Sequence, residues 1–244
     1  MTFTRAPAAG LSSDTDNLAQ VTPTLLKTME LGMTSTIALV GTAALMTALA
    51  GAATAQGADG TWRADLAPLN AQTAGSEAKG TATLTVAGDT LTVRIDATGT
   101  APGIAHLQHI HGFAEGDETA ACPGGDADVN SDGVVDLIET EPVAGTTMLP
   151  FDTDPVAMDL LGGDFPTADA DGSYSYEQTV PLSAITDAFA TKFPDQQLDL
   201  DRRVVFLHGV PDSAGLPDSA QSVGGVAAHV TLPIACGALQ RVDG

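Results

Sequence analysis

Residues 80–97 read GTATLTVAGDTLTVRIDA, and this stretch constrains the fold more than any other. Apolar side chains recur at every second position on either side of Ala87-Gly88-Asp89. A period of two places one face of a strand against a core and the other against water. The Gly-Asp step between the two runs is a hairpin turn signal. Similar short runs occur at Trp62 to Leu69, Ile104 to His111, Thr146 to Phe151, Ser173 to Leu182, Val204 to Val210 and Val226 to Ile234. Asp171-Gly172 marks a further turn. Only Ser183 to Phe193 has a helical pattern, with Ser183 as its expected N-cap and Pro194 at its end. Many short strands and a single short helix predict an all-β, antiparallel sandwich or barrel in one domain, residues 56–244, without internal repeats.

The segment before that domain is of another kind. Thr36 to Ala53 is apolar and uncharged, and Ala53-Thr54-Ala55 before Gln56 has the small-x-small form of a signal-peptidase site. Residues 1–55 are therefore expected to be an N-terminal extension and signal peptide, and the domain to be secreted, extracellular or held in the cell envelope. The chain carries a net charge of −22. Removing residues 1–55 takes away Arg5, Lys27, Asp14, Asp16 and Glu30 and leaves −21. So acidic a surface repels nucleic acid and anionic membranes, which leaves an extracellular protein or a glycan as the expected partner. Two cysteines in an exported chain predict one disulfide, Cys122 to Cys236.

Two kinds of metal chemistry stand side by side between His106 and Glu139. From Asp128 the chain reads DVNSDGVVDLIE, which fits the calcium-loop pattern D-x-[DN]-x-[DN]-G-x5-E throughout. Calcium takes six to eight oxygens, and a twelve-residue loop can wrap it. Asp128, Asn130 and Asp132 would supply side-chain oxygens, Val134 its carbonyl, Asp136 an oxygen directly or through water, and Glu139 both carboxylate oxygens. Gly133 sits where the loop turns sharply. The plainer alternative is a solvated acidic loop. Flanking helices are not evident, so the loop is expected to be an insertion in another fold. Upstream, His109 and His111 flank Ile110, and on a strand they share a face roughly 6–7 Å apart. His208 lies on another expected strand, VVFLHGV. If the two strands are neighbours, three imidazoles converge as ligands for copper or zinc. The alternative is that these histidines serve only to order loops. His106 and His229 are possible additions to the set.

The segments IAHLQHIHGF, Cys122, VVFLHGVPDSAG and LPIACGAL resemble copper-zinc superoxide dismutases in order and local spelling. That resemblance implies copper ligation by His109, His111 and His208, an outer-sphere role for Asp212, a nearby Gly215, and pairing of Cys122 with Cys236. The chain also departs from that family. No histidine follows Cys122 where the family binds zinc, and Pro233 stands where the family has its active-site Arg. A net charge of −21 would repel superoxide as well. From Trp62 to Leu239 the chain is more similar to the CHRD (chordin-type) domain, through WRADLAPLN, the hairpin above, QHIHG and VVFLHG. This implies a Greek-key β-sandwich, immunoglobulin-like or superoxide-dismutase-like, without a settled activity. Taken together, these features favour a secreted, calcium-stabilised binding or structural module without catalysis. The main alternative is a copper-binding protein using His109, His111 and His208, and a dismutase-type redox enzyme comes third. No G-x-S-x-G or H-E-x-x-H motif supports a hydrolase.

Overall fold

The computed structural model describes residues 59–75 and 77–242. The signal-peptide segment expected within residues 1–55 lies outside them. The alternating stretches become strands: β1 Gly60–Pro68, β2 Lys79–Val86 and β3 Thr90–Thr98. Across the turn Ala87 and Thr90 exchange backbone hydrogen bonds of 3.0 and 3.1 Å, and Gly88 takes the left-handed conformation that the turn requires. Leu84 and Val86 of β2 and Leu91, Val93 and Ile95 of β3 are all buried, while Thr83, Thr85, Arg94 and Asp96 alternate with them on the outer face.

Five short strands and a terminal pair complete the sheet: β4 Gln108–Gly112, β5 Thr146–Pro150, β6 Tyr174–Pro181, β7 Val204–His208, β8 Pro233–Ala238 and β9 Gln240–Arg241. Their order is β5-β4-β7-β8-β1-β2-β3-β6, with β9 on β1, and all the pairings are antiparallel. The β3–β6 and β4–β7 pairings skip over intervening chain, which is Greek-key connectivity. β1 belongs to both halves: residues 60–66 pair with β2, and Ala67 and Pro68 pair with β8. The all-β expectation holds, with the two layers formed by one sheet that curls through β1. Between the halves lies a core that includes Trp62, Leu84, Ile95 and Tyr176 from one side and Ile110, Leu149, Val205 and Ile234 from the other.

Three expectations are corrected. Among the described residues the single short helix is joined by three others: α1 Ala71–Ala74, α2 Leu137–Ala144 and α4 Ala228–Thr231 flank the expected one, α3 Leu182–Lys192. Ser183 does not cap α3. Pro181 holds that position, and Ser183 donates from its amide and hydroxyl to the Asp89 carboxylate. The strand expected from Val226 to Ile234 is α4 followed by β8, which starts at Pro233, a place where a missing N–H is tolerated. No helix of the described residues is long and apolar enough to cross a membrane.

All five residues of β4 and of β7 are buried, because both faces of this part of the sheet are covered. Ile110, Val205 and Leu207 point into the core. His109, His111, Val204, Phe206 and His208 take the opposite face, under the long loops. The disulfide Cys122–Cys236 forms there and ties the loop after β4 to β8, with a Cα–Cα distance of 5.7 Å. Cys236 pairs in register with Phe206 and packs with it, Ala120, Ala144 and Val204 in a second apolar cluster.

Candidate metal centre

The histidine pair of β4 and the third histidine of β7 meet because of register. His109 lies opposite Phe206 and His111 opposite Val204, so His208, two residues beyond Phe206 on the same face, is diagonal to His109. The His109 and His208 ring centroids are 5.4 Å apart, as are those of His111 and His208, and those of His109 and His111 are 6.2 Å apart. Their nitrogens include one from each ring that lie within 4.8 Å of one another. All three residues are at most 2% exposed.

Each ring is fixed by one nitrogen and leaves the other free. His109 Nε2 donates to the Leu160 carbonyl at 2.7 Å, and His208 Nδ1 donates to the Thr231 carbonyl at 2.9 Å. A carbonyl can only accept, so these bonds select the tautomers that leave lone pairs on His109 Nδ1 and His208 Nε2. His111 Nε2 meets the Thr147 hydroxyl at 3.2 Å. His109 Nδ1, His111 Nδ1 and His208 Nε2 are buried without any hydrogen-bond partner. They are the only such side-chain atoms among the described residues. A buried polar atom without a partner costs about 1–3 kcal/mol, and three in one place call for an explanation. A metal ion would supply it. Imidazole lone pairs are suitable ligands for copper and zinc, and a ring held by its second nitrogen is the usual support for one.

Burial holds all three rings neutral, and the mutual charge of the neighbouring rings pushes His109 and His111 further in the same direction. His208 is pushed down to about 4, mainly by burial, and His109 and His111 lie well below the ordinary 6.5. A native state that refuses protons which the unfolded chain accepts at 6.5 is at full strength above that pH. It weakens as pH falls from 6.5 towards about 4. The slope for each histidine is about 1.4 kcal/mol per pH unit. Urea midpoints of the metal-free protein should therefore drop between pH 7 and pH 5. A flat profile over that range would contradict the neutral triad.

Of the other histidines, neither joins the group. His106 is buried with its two ring nitrogens 3.0 Å from the His208 carbonyl and 2.9 Å from that of Ala101, and it stacks on Tyr174. It holds the backbone that carries His208. His229 is on α4 and pairs with the exposed Asp212 at 3.4 Å. The chain around the triad was not legible beforehand. The carbonyls of Leu160 and Thr231 carry no side-chain signature, and Phe165 and Phe206, whose rings pack against His109 and His111, read as ordinary core.

The calcium pattern forms a loop closed by its own amides. Asp128 accepts from the amides of Asp132 and Gly133 at 3.1 and 2.9 Å, and Gly133 has φ +91°. Asn130 and Asp132 bond to each other, and the Val134 amide donates to Asp132. Asp136 and Glu139 form a capping box on α2, so a helix does leave the loop, contrary to expectation; Pro142 within it had obscured the pattern. Glu139 accepts from Val129, Asn130 and Asp136 amides. Among the described residues the triad is the one group of three or more His, Cys, Asp or Glu with ligand atoms so close.

No protein-family model matches the sequence, and no curated protein matches it. Solved structures do. Its structural neighbours are SOD-like proteins. A mutant of a SOD-like protein from Bacillus subtilis is 18% identical with TM-score 0.36, covering 72% of this chain and 95% of that one. The Cu/Zn superoxide dismutase from Brucella abortus is 18% identical with TM-score 0.35, covering 74% and 99%. A further structure of a SOD-like protein from Bacillus subtilis is 17% identical with TM-score 0.35, covering 73% and 97%. At these identities and scores no residue role is carried across.

Proposed function

We propose that the described domain is an exported metal-holding module whose centre is the His109, His111 and His208 triad, with copper as its metal. One observation carries this reading: three buried histidines offer nitrogens within 4.8 Å of one another, and each ring has a buried nitrogen without a hydrogen-bond partner among the described residues. Mere loop-ordering histidines would have backbone groups beside both nitrogens, as His106 does. His109, His111 and His208 would hold the ion, and bound copper would supply a redox-capable centre. The rings are sealed under Phe165, Phe206 and the Leu160 backbone, which favours storage or carriage over turnover on a dissolved anion. The loss of copper from His109→Ala tests the assignment.

The Asp128, Asn130, Asp132, Val134, Asp136 and Glu139 loop is read as a structural calcium site. Its support is the complete ligand pattern, the positive φ of Gly133 and the exit helix capped by Asp136. Calcium binding only the native state would raise the melting temperature of the wild-type chain and leave that of Asp128→Ala unmoved. Equal shifts in both proteins would sink this reading. The disulfide fits an oxidising compartment, and together with the signal-like segment it supports secretion. The motifs Trp62 to Leu239 support a CHRD-type module, whose partner would be an extracellular protein or glycan, with no nucleic acid and no membrane bound by the mature form.

A further inference from the structure

The three rings meet neutral groups only. Two outer nitrogens donate to the backbone carbonyls of Leu160 and Thr231, and the third meets the Thr147 hydroxyl. Phe165 and Phe206 pack against His109 and His111 at centroid distances of 5.3 and 4.5 Å. Among the described residues no carboxylate is hydrogen-bonded to any of the three rings, and none joins the group formed by their ligand nitrogens. A cavity of about 130 Å³ lies against Gly145, Thr147 and Leu160, lined largely by apolar groups. Glu141 lines it too and is exposed to solvent.

An ion seated between the three buried rings brings its whole charge into low-dielectric surroundings, and its ligands contribute none. The cost of moving an ion out of water rises with the square of its charge, so a divalent ion costs about four times as much as a monovalent one of equal size. Sites for divalent ions commonly offset that cost with carboxylates, as direct ligands or behind a histidine, where they also raise ligand basicity. Neither device is present around these rings. Three neutral nitrogens buried away from water suit an ion of low charge.

Resting on the metal-centre reading above, we infer that the triad is selective for monovalent copper, Cu(I), over Cu(II) and Zn(II). The neutral surroundings of the rings set the preference. Thr147, half-buried against His111 Nε2, is the position from which it can be altered.

The test is an oxygen-free titration of the full domain with Cu(I) against bicinchoninate, beside titrations with Zn(II) and Cu(II) against chelators of known affinity. Cu(I) is expected to bind at about one per chain and more than about 100-fold more tightly than Zn(II), while Cu(II) is lost to the chelator. Thr147→Glu, with its fold checked by circular dichroism, should narrow the gap between Cu(I) and Zn(II) on the order of tenfold by placing a carboxylate behind His111. Should the Glu variant not fold, the comparison of Cu(I) with Zn(II) and Cu(II) in the wild-type domain decides the inference alone. Zn(II) or Cu(II) held as tightly as Cu(I) overturns the inference and leaves the metal centre standing. No metal retained of any kind overturns the metal centre itself.

Discussion

Replacing His208 with alanine is expected to weaken copper binding by more than about 100-fold, since losing even an outer partner of a ligand typically costs 10- to 100-fold. His208 is the one proposed ligand from β7, and its ring lies 5.4 Å, centroid to centroid, from each of the β4 histidines. Without it two ligands remain on one strand, and two imidazoles do not enclose an ion. The substitution also strips the Thr231 carbonyl of its donor, at a stability cost of about 1–3 kcal/mol. The two effects separate experimentally. His208→Gln keeps polar contact with the Thr231 region and should recover stability without recovering copper. Copper affinity within a few-fold of wild type in either variant would remove His208 from the site.

Removing the disulfide is expected to have the largest effect on stability. Cys122 and Cys236 are 114 residues apart in sequence, and closing a loop of that length restrains the unfolded chain by about 4–5 kcal/mol in the chain-entropy treatment. The bond also fastens the loop after β4 over the face that carries the triad, and Cys236 packs directly against Phe206. Cys122→Ser/Cys236→Ser should therefore lower the urea midpoint sharply and speed the release of bound copper. A double variant with an unchanged midpoint would show that the apolar cluster of Ala120, Ala144, Val204 and Phe206 suffices without the bond.

How much of this was readable in advance depends on where the information lies in the chain. The β2–β3 hairpin was legible because its alternation is regular and its turn residues fit a tight connection. The histidines were legible as candidates because H-x-H on a strand places two rings on one face. Their meeting with His208 was named by the dismutase resemblance and left conditional by the strand pattern, because it follows from the β4–β7 register, a pairing across nearly 100 residues that no local pattern encodes. α2 was hidden by Pro142 and by the calcium pattern, which claims Asp136 and Glu139 for metal while the structure uses both in a capping box. The apolar run from Val226 to Ile234 gave no sign of its division into α4 and β8, since short apolar segments fit either form.

The most direct test of the metal centre is the metal content of the chain from Gln56 onward, produced without a histidine tag, loaded with copper under reducing conditions and then dialysed. Elemental analysis should find about one copper per chain in the wild-type protein and none in His109→Ala/His208→Ala. Copper absent from the wild type, or retained equally by the double variant, would contradict the account.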